Sequence, residues 1–139
     1  MKDSVVITIP SHPKYLSMVR AATVSMGKLY GMEDSVIEDV KLAIDEACSN
    51  VIKHAYRGDT SKKIVIKYKI MQSGFAVIIE DRGIKANLKS IKGRNLEDVR
   101  PGGLGIHFIK RVFDVFKFDE NKKRGNRLIL IKYRRKNEY

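Results

Sequence analysis

Leu42-Ala43-Ile44-Asp45-Glu46-Ala47-Cys48-Ser49-Asn50 decides how this chain is read. It lies in a longer run where Ile37, Val40, Ile44, Ala47, Val51 and Ala55 recur at the three- and four-residue spacing of one buried helical face. Glu46 and Asn50 share a different face, one turn apart, so both can point into a cleft. An amide oxygen there suits a hard ion such as magnesium, and a carboxylate beside it can take a proton from an attacking water or hydroxyl. Taken alone, the pair reads first as an exposed decoration of an amphipathic helix, so any functional meaning depends on the rest of the chain.

Working outward, this helix is predicted from about Asp34 to Ala55, with Arg57-Gly58-Asp59 ending it. Before it, Val5 to Ile9 alternates as a strand into Pro10, and a helix runs from Tyr15 to Tyr30, stopped at Gly31. After it, Ile64 to Ile70 and Phe75 to Ile79 flank the turn Gln72-Ser73-Gly74 as a hairpin. Periodicity then vanishes from Arg82 to Pro101, a stretch of about twenty residues that is long for an ordinary connection and is therefore a candidate lid. A third helix carries Leu104, Ile106, Phe108, Ile109, Val112 and Phe113, and Val115 to Phe118 with Leu128 to Tyr133 closes the chain as a hairpin. About five strands and three helices result, expected as an α/β two-layer sandwich with a mixed sheet and the helices on one face.

With 139 residues, 43% of them hydrophobic, one compact domain over 1–139 is expected. Cys48 is the single cysteine, which excludes an internal disulfide and a cysteine-based zinc cluster and suits a reducing cytoplasm. Apolar runs are strand-length and no signal peptide is evident, so no membrane association is expected and the location is read as cytoplasmic. A net charge of +12, from 28 Lys and Arg against 16 Asp and Glu, would attract phosphates, nucleic acid or an acidic protein. Much of the excess sits in Lys62-Lys63, Lys122-Lys123-Arg124 and Arg134-Arg135-Lys136, which also read as solvated edge, turn and tail.

Two further motifs complete a constellation. Asp81-Arg82-Gly83 follows an apolar strand, where an aspartate can accept the exocyclic amine of adenine and a glycine lets the backbone turn closely around a flat ligand. Gly102-Gly103-Leu104-Gly105 opens the third helix, and backbone N–H groups at a helix start form an anion pocket. No G-x-x-x-x-G-K-[ST] run occurs, which excludes a P-loop.

Helix pair, strand-end aspartate, loop and glycine-rich helix start, in that order, resemble the Bergerat-type, histidine-kinase-like ATP-binding fold of the GHKL superfamily. The closer resemblance is to the anti-sigma factor serine kinases of the SpoIIAB and RsbW families. It extends over nearly the whole chain, from Ile9-Pro10, Pro13-Lys14-Tyr15 and Arg20, through His54-Ala55-Tyr56 and Glu80-Asp81-Arg82-Gly83, to Gly102-Gly103-Leu104-Gly105-Ile106 and Gly125-Asn126-Arg127-Leu128. This resemblance implies Glu46 as catalytic base, Asn50 as magnesium ligand, Asp81 and Gly83 at adenine, and Gly103, Leu104, Gly105 and Ile106 around the phosphates. It implies ATP and Mg2+ as cofactors, and a sigma factor and its STAS-type antagonist as partners, the antagonist being phosphorylated on serine or threonine. A homodimer is likewise implied, with Arg20 in a partner-contact region. Two departures bear on adenine affinity: Ile84-Lys85 replaces the second glycine usual after Asp-x-Gly, and Arg127-Leu128-Ile129 stands where a threonine is usual. The lid is basic, with Lys85, Lys89, Lys92, Arg94 and Arg100 all candidates to reach phosphate.

Other residues have simpler readings. His54 falls one turn beyond Asn50 and either joins the cleft or packs at the helix end, while His12 and His107 do not pair with it at metal spacing. Cys48 is a small core residue, and Phe108, Phe113, Phe116 and Phe118 are core or strand aromatics. Two other functions fit the residues: a nucleotide-controlled binding scaffold of the same fold without transfer, and a basic nucleic-acid module, although direct nucleic-acid binding is not the expectation.

Overall fold

A computed structural model describes residues 3–87 and 103–134. In chain order the elements are β1 (Asp3–Pro10), a 3-10 turn (Pro13–Tyr15), α1 (Leu16–Tyr30), α2 (Asp34–Asn50), a π turn (Val51–Ala55), β2 (Lys63–Ile70), β3 (Gly74–Asp81), α3 (Gly103–Val112), β4 (Val115–Phe118) and β5 (Asn126–Tyr133). Gly31 ends α1 as expected, its N–H reaching the carbonyls of Gly27 and Lys28. Pro10 is tolerated in a paired position, opposite Lys63, because β1 is an edge strand.

The strands form one sheet in the order β1-β2-β3-β5-β4. Every ladder is antiparallel, which corrects the expectation of a mixed sheet. The helical connection after β3 does bring β4 back in the same direction as β3. However, β5 inserts between them and pairs antiparallel with both, so no parallel ladder forms.

Register assigns the two faces. Ile64, Ile66 and Tyr68 of β2, Phe75, Val77 and Ile79 of β3, and Leu128 and Leu130 of β5 alternate onto one side and are all buried. They form one cluster with Val19, Val40, Ile44 and Ile109 of the helices, so the helical layer covers this side. Full burial of a large apolar side chain such as Phe75 contributes about 1.5–3 kcal/mol. The buried Thr23 hydroxyl is satisfied within the core, reaching the Val19 carbonyl and the Tyr68 hydroxyl, each at 2.8 Å. Residues on the opposite side, among them Val65, Lys67, Ile78, Glu80 and Arg127, stay partly exposed. No described helix is long and apolar enough to cross a membrane.

Candidate functional site

Helix α2 carries Glu46 and Asn50 into the helical layer, both partly buried. Immediately after Asn50 the backbone changes from α to π winding, and the Tyr56 N–H bonds back to the Val51 carbonyl at 2.9 Å. The wider turn leaves the Ala55 carbonyl to accept from the Ile84 N–H at 2.8 Å, which ties the end of this helix to the turn after β3. Gly83 packs so closely on the same carbonyl that any side chain there would overlap it. Tyr56 adds a second tie: its hydroxyl donates to the Lys63 carbonyl at 2.5 Å and accepts from the Arg82 N–H at 2.9 Å.

Between α2, this turn, α3 and the β4–β5 hairpin lies a cavity of about 290 Å³. Asn50, His54, Asp81, Ile106, Asn126 and Leu128 border it, with Ile79, Ile109, Phe116 and Phe118 supplying apolar walls. Such a space, mostly apolar with a few converging polar groups, suits a flat heterocycle. Asp81 is 4% exposed, and its Oδ1 accepts from the Gly83 N–H at 2.8 Å and from the Asn126 amide at 3.1 Å. Burial raises its pKa, against the lowering effect of those donors. Asn126 also donates to the Ile84 carbonyl at 2.9 Å and accepts from the Ala86 N–H at 2.8 Å, so one amide clamps the aspartate and the following loop together.

The other half of the site is where α2 meets α3. Gly105 sits against the Glu46 carboxylate so closely that a Cβ at 105 would occupy the position of Glu46 Oε1. The Glu46 side chain thus lies against the first turn of α3, where backbone N–H groups lack intrahelical acceptors. Asn50 Oδ1 is buried with no hydrogen-bond partner among the described residues. A buried oxygen of this kind fits a cation ligand. No group of three or more His, Cys, Asp or Glu side chains among the described residues could hold a metal ion. The donor set therefore fits an ion that brings its remaining ligands as phosphate and water, as magnesium does.

The structure brings together Glu46, Asn50, Asp81, Gly83, Gly105 and Ile106, with Gly103 as the first residue of α3. Leu104 lies in the same turn. Gly102 and the lid residues Lys89, Lys92, Arg94 and Arg100 fall outside the described residues. Lys85 borders the cavity, with its ammonium donating to the Lys122 carbonyl. His54 is also at the cavity, exposed. Arg20 is paired with Asp45 of α2 at 2.6 Å. Cys48 is fully buried and burial pushes its thiol up to about 12, in keeping with a core residue. Sequence reasoning gave no role to Asn126 or Tyr56. Both act across strand pairing or helix-to-turn contact, and the only local signal was the Gly-Asn step before the last strand.

Residues 9–132 match the family model described as "Histidine kinase-like ATPase domain". The chain is similar to "Serine-protein kinase RsbW" of Listeria innocua, 30% identical over 143 residues, covering 96% of this chain and 88% of that protein. A similar protein of the same description from Oceanobacillus iheyensis is 29% identical, over 94% of this chain and 87% of its own length. A solved structure of the RsbU and RsbW domains of a Mycobacterium tuberculosis protein superposes with a TM-score of 0.65 over 94% of this chain, at 18% identity. The chain spans about a third, 32%, of that longer protein, which supports the fold alone. By these matches the chain belongs to the histidine kinase-like ATPase domain family and, within it, to the family of the RsbW serine-protein kinases.

Proposed function

We propose that this protein is an ATP- and magnesium-dependent serine/threonine protein kinase that holds a sigma factor and phosphorylates the antagonist of that complex. One observation carries the reading. The buried, unpartnered Asn50 oxygen lies one helical turn from a carboxylate that abuts the start of α3, on the wall of the cavity that contains Asp81. Each group then has a task. Asp81, already held by Gly83 and Asn126, accepts the amine of adenine in the apolar cavity. Asn50 Oδ1 holds magnesium, which when bound neutralises phosphate charge. The first turn of α3, from Gly103 through Leu104 and Gly105 to Ile106, receives phosphate oxygens on its N–H groups. Glu46 takes the proton of the serine or threonine hydroxyl as that oxygen attacks the terminal phosphorus and ADP leaves. In this reading the single domain works in the cytoplasm as a homodimer, and the state of a STAS-type antagonist controls transcription by releasing the sigma factor.

The test is transfer of labelled phosphate from Mg-ATP to a candidate antagonist. Glu46→Gln should lower transfer by about 10²- to 10⁴-fold with ATP still bound. Loss of ATP binding in that variant would give Glu46 a structural role instead. Absence of any phosphoprotein with the wild type and cognate antagonist would leave only a nucleotide-controlled scaffold.

A further inference from the structure

A second concavity of about 600 Å³ opens on the other side of the strand-end turn, bordered by Tyr56, Lys62, Lys63, Val65, Glu80 and Arg82. Asp81 and Lys122 also reach it. Its carboxylates are already committed. Glu80 is shared by Lys67 at 2.7 Å, Arg127 at 3.4 Å and Lys122 at 3.7 Å, and Asp81 faces Gly83 and Asn126. Lys62, Lys63 and Arg82 are exposed, and among the described residues none has a carboxylate within 4.0 Å. The trough therefore presents three cations outside any close ion pair, Lys62 feeling only the exposed Asp59 at longer range, around one apolar side chain, Val65, in a chain of net charge +12.

The backbone beneath two of these cations is braced. Tyr56 bonds both the Lys63 carbonyl and the Arg82 N–H, so the strand start and the turn are held at a fixed separation. Ser61 has no donor to spare, since its N–H and hydroxyl both point to Asp59 Oδ1, at 2.8 and 2.6 Å. Convergent donors of the kind that enclose a small phosphate are thus missing from this rim, which instead offers cations spaced along an open trough. A row of nucleic-acid phosphates would also meet Glu80 and Asp81 on the floor, whereas the carboxylates of a peptide can be spaced around them.

We propose that this cleft docks an acidic segment of a partner protein, with its carboxylates on Lys62, Lys63 and Arg82 and an apolar side chain over Val65. None of these three cations borders the Asn50 cavity, so the proposal stands whether or not that cavity binds nucleotide.

The test is fluorescence anisotropy of the full chain with a short fluorescein-labelled peptide of Asp and Glu around a central Leu. Lys62→Glu with Lys63→Glu, and separately Arg82→Glu, should each weaken binding by at least about tenfold. Lys28→Glu, a charge reversal on α1 outside the cleft, should leave it unchanged. Should reversal unfold the chain, Lys62→Gln with Lys63→Gln removes the charges more gently and should still weaken binding. No binding to the wild type, an equal loss in Lys28→Glu, or no loss in the cleft variants would overturn the proposal. Displacement of the peptide by a single-stranded oligonucleotide of higher, steeply salt-dependent affinity would also overturn it, in favour of nucleic acid.

Discussion

Two neighbouring rungs of the β3–β5 ladder, Glu80 opposite Arg127 and Asp81 opposite Asn126, place like carboxylates in unlike surroundings. Strand alternation turns Glu80 to the open side of the sheet, where Lys67, Arg127 and Lys122 gather on it. Burial raises its pKa, but the hydrogen bonds and charges of Lys67 and Arg127 outweigh that and hold it below the ordinary value. Asp81, one residue on, faces the helical layer, and its direct hydrogen bonds come from an amide and a backbone N–H, with Lys122 acting on it only as a more distant charge. Its pKa is accordingly raised. A surface carboxylate balanced by cations has little left to offer a ligand, whereas a buried one held by neutral donors keeps acceptor capacity for an amine entering the cavity.

The largest effect is expected on the buried rung. Asn126→Ala leaves Asp81, the Ile84 carbonyl and the Ala86 N–H without a shared partner, which should cost about 1–3 kcal/mol in urea denaturation and weaken ATP binding. A stability unchanged within error would show that the amide clamp is dispensable. On the open rung, Arg127→Ala removes contacts to Glu80 and Asp119, and a smaller loss is expected, one that shrinks as salt is added. If it exceeded that of Asn126→Ala, the contrast between the faces would be wrong.

The pH dependence should be the subtlest difference, and opposite in sign on the two rungs. With its folded pKa raised, Asp81 favours folding below the ordinary 3.8, and that contribution is lost as pH rises through the folded value. With its folded pKa lowered, Glu80 contributes above the ordinary 4.5 and loses that contribution as pH falls through the folded value. Thermal midpoints across acid to neutral pH should therefore show Asp81→Asn gaining on the wild type as pH rises and Glu80→Gln falling behind it. Parallel curves for both variants would remove the electrostatic distinction.

Much of this was legible in the chain itself. The α2 periodicity, the alternation of β2 and β3 and the glycine after α1 are local signals, and each appears at the expected place. The spacing of Glu46 and Asn50 forces them onto one helical face. Less local features were not legible. The helix continues past Asn50 as a π turn whose Ala55 carbonyl is taken by the Ile84 N–H, some thirty residues later, a contact that no window of sequence contains. The sheet is antiparallel throughout because β5 inserts between β3 and β4, a choice of neighbour that periodicity does not encode.

The sequence by itself determined the elements, the two-layer class and the candidate site residues, because helix and strand periods, proline and glycine act within a few residues of where they stand. Only the tertiary structure decided that Gly105 closes on Glu46, that the distant Asn126 joins Gly83 in holding Asp81, and that Lys62, Lys63 and Arg82 come to line one cleft. Those facts depend on which strands become neighbours and which faces are buried, and both are settled by packing the whole core at once.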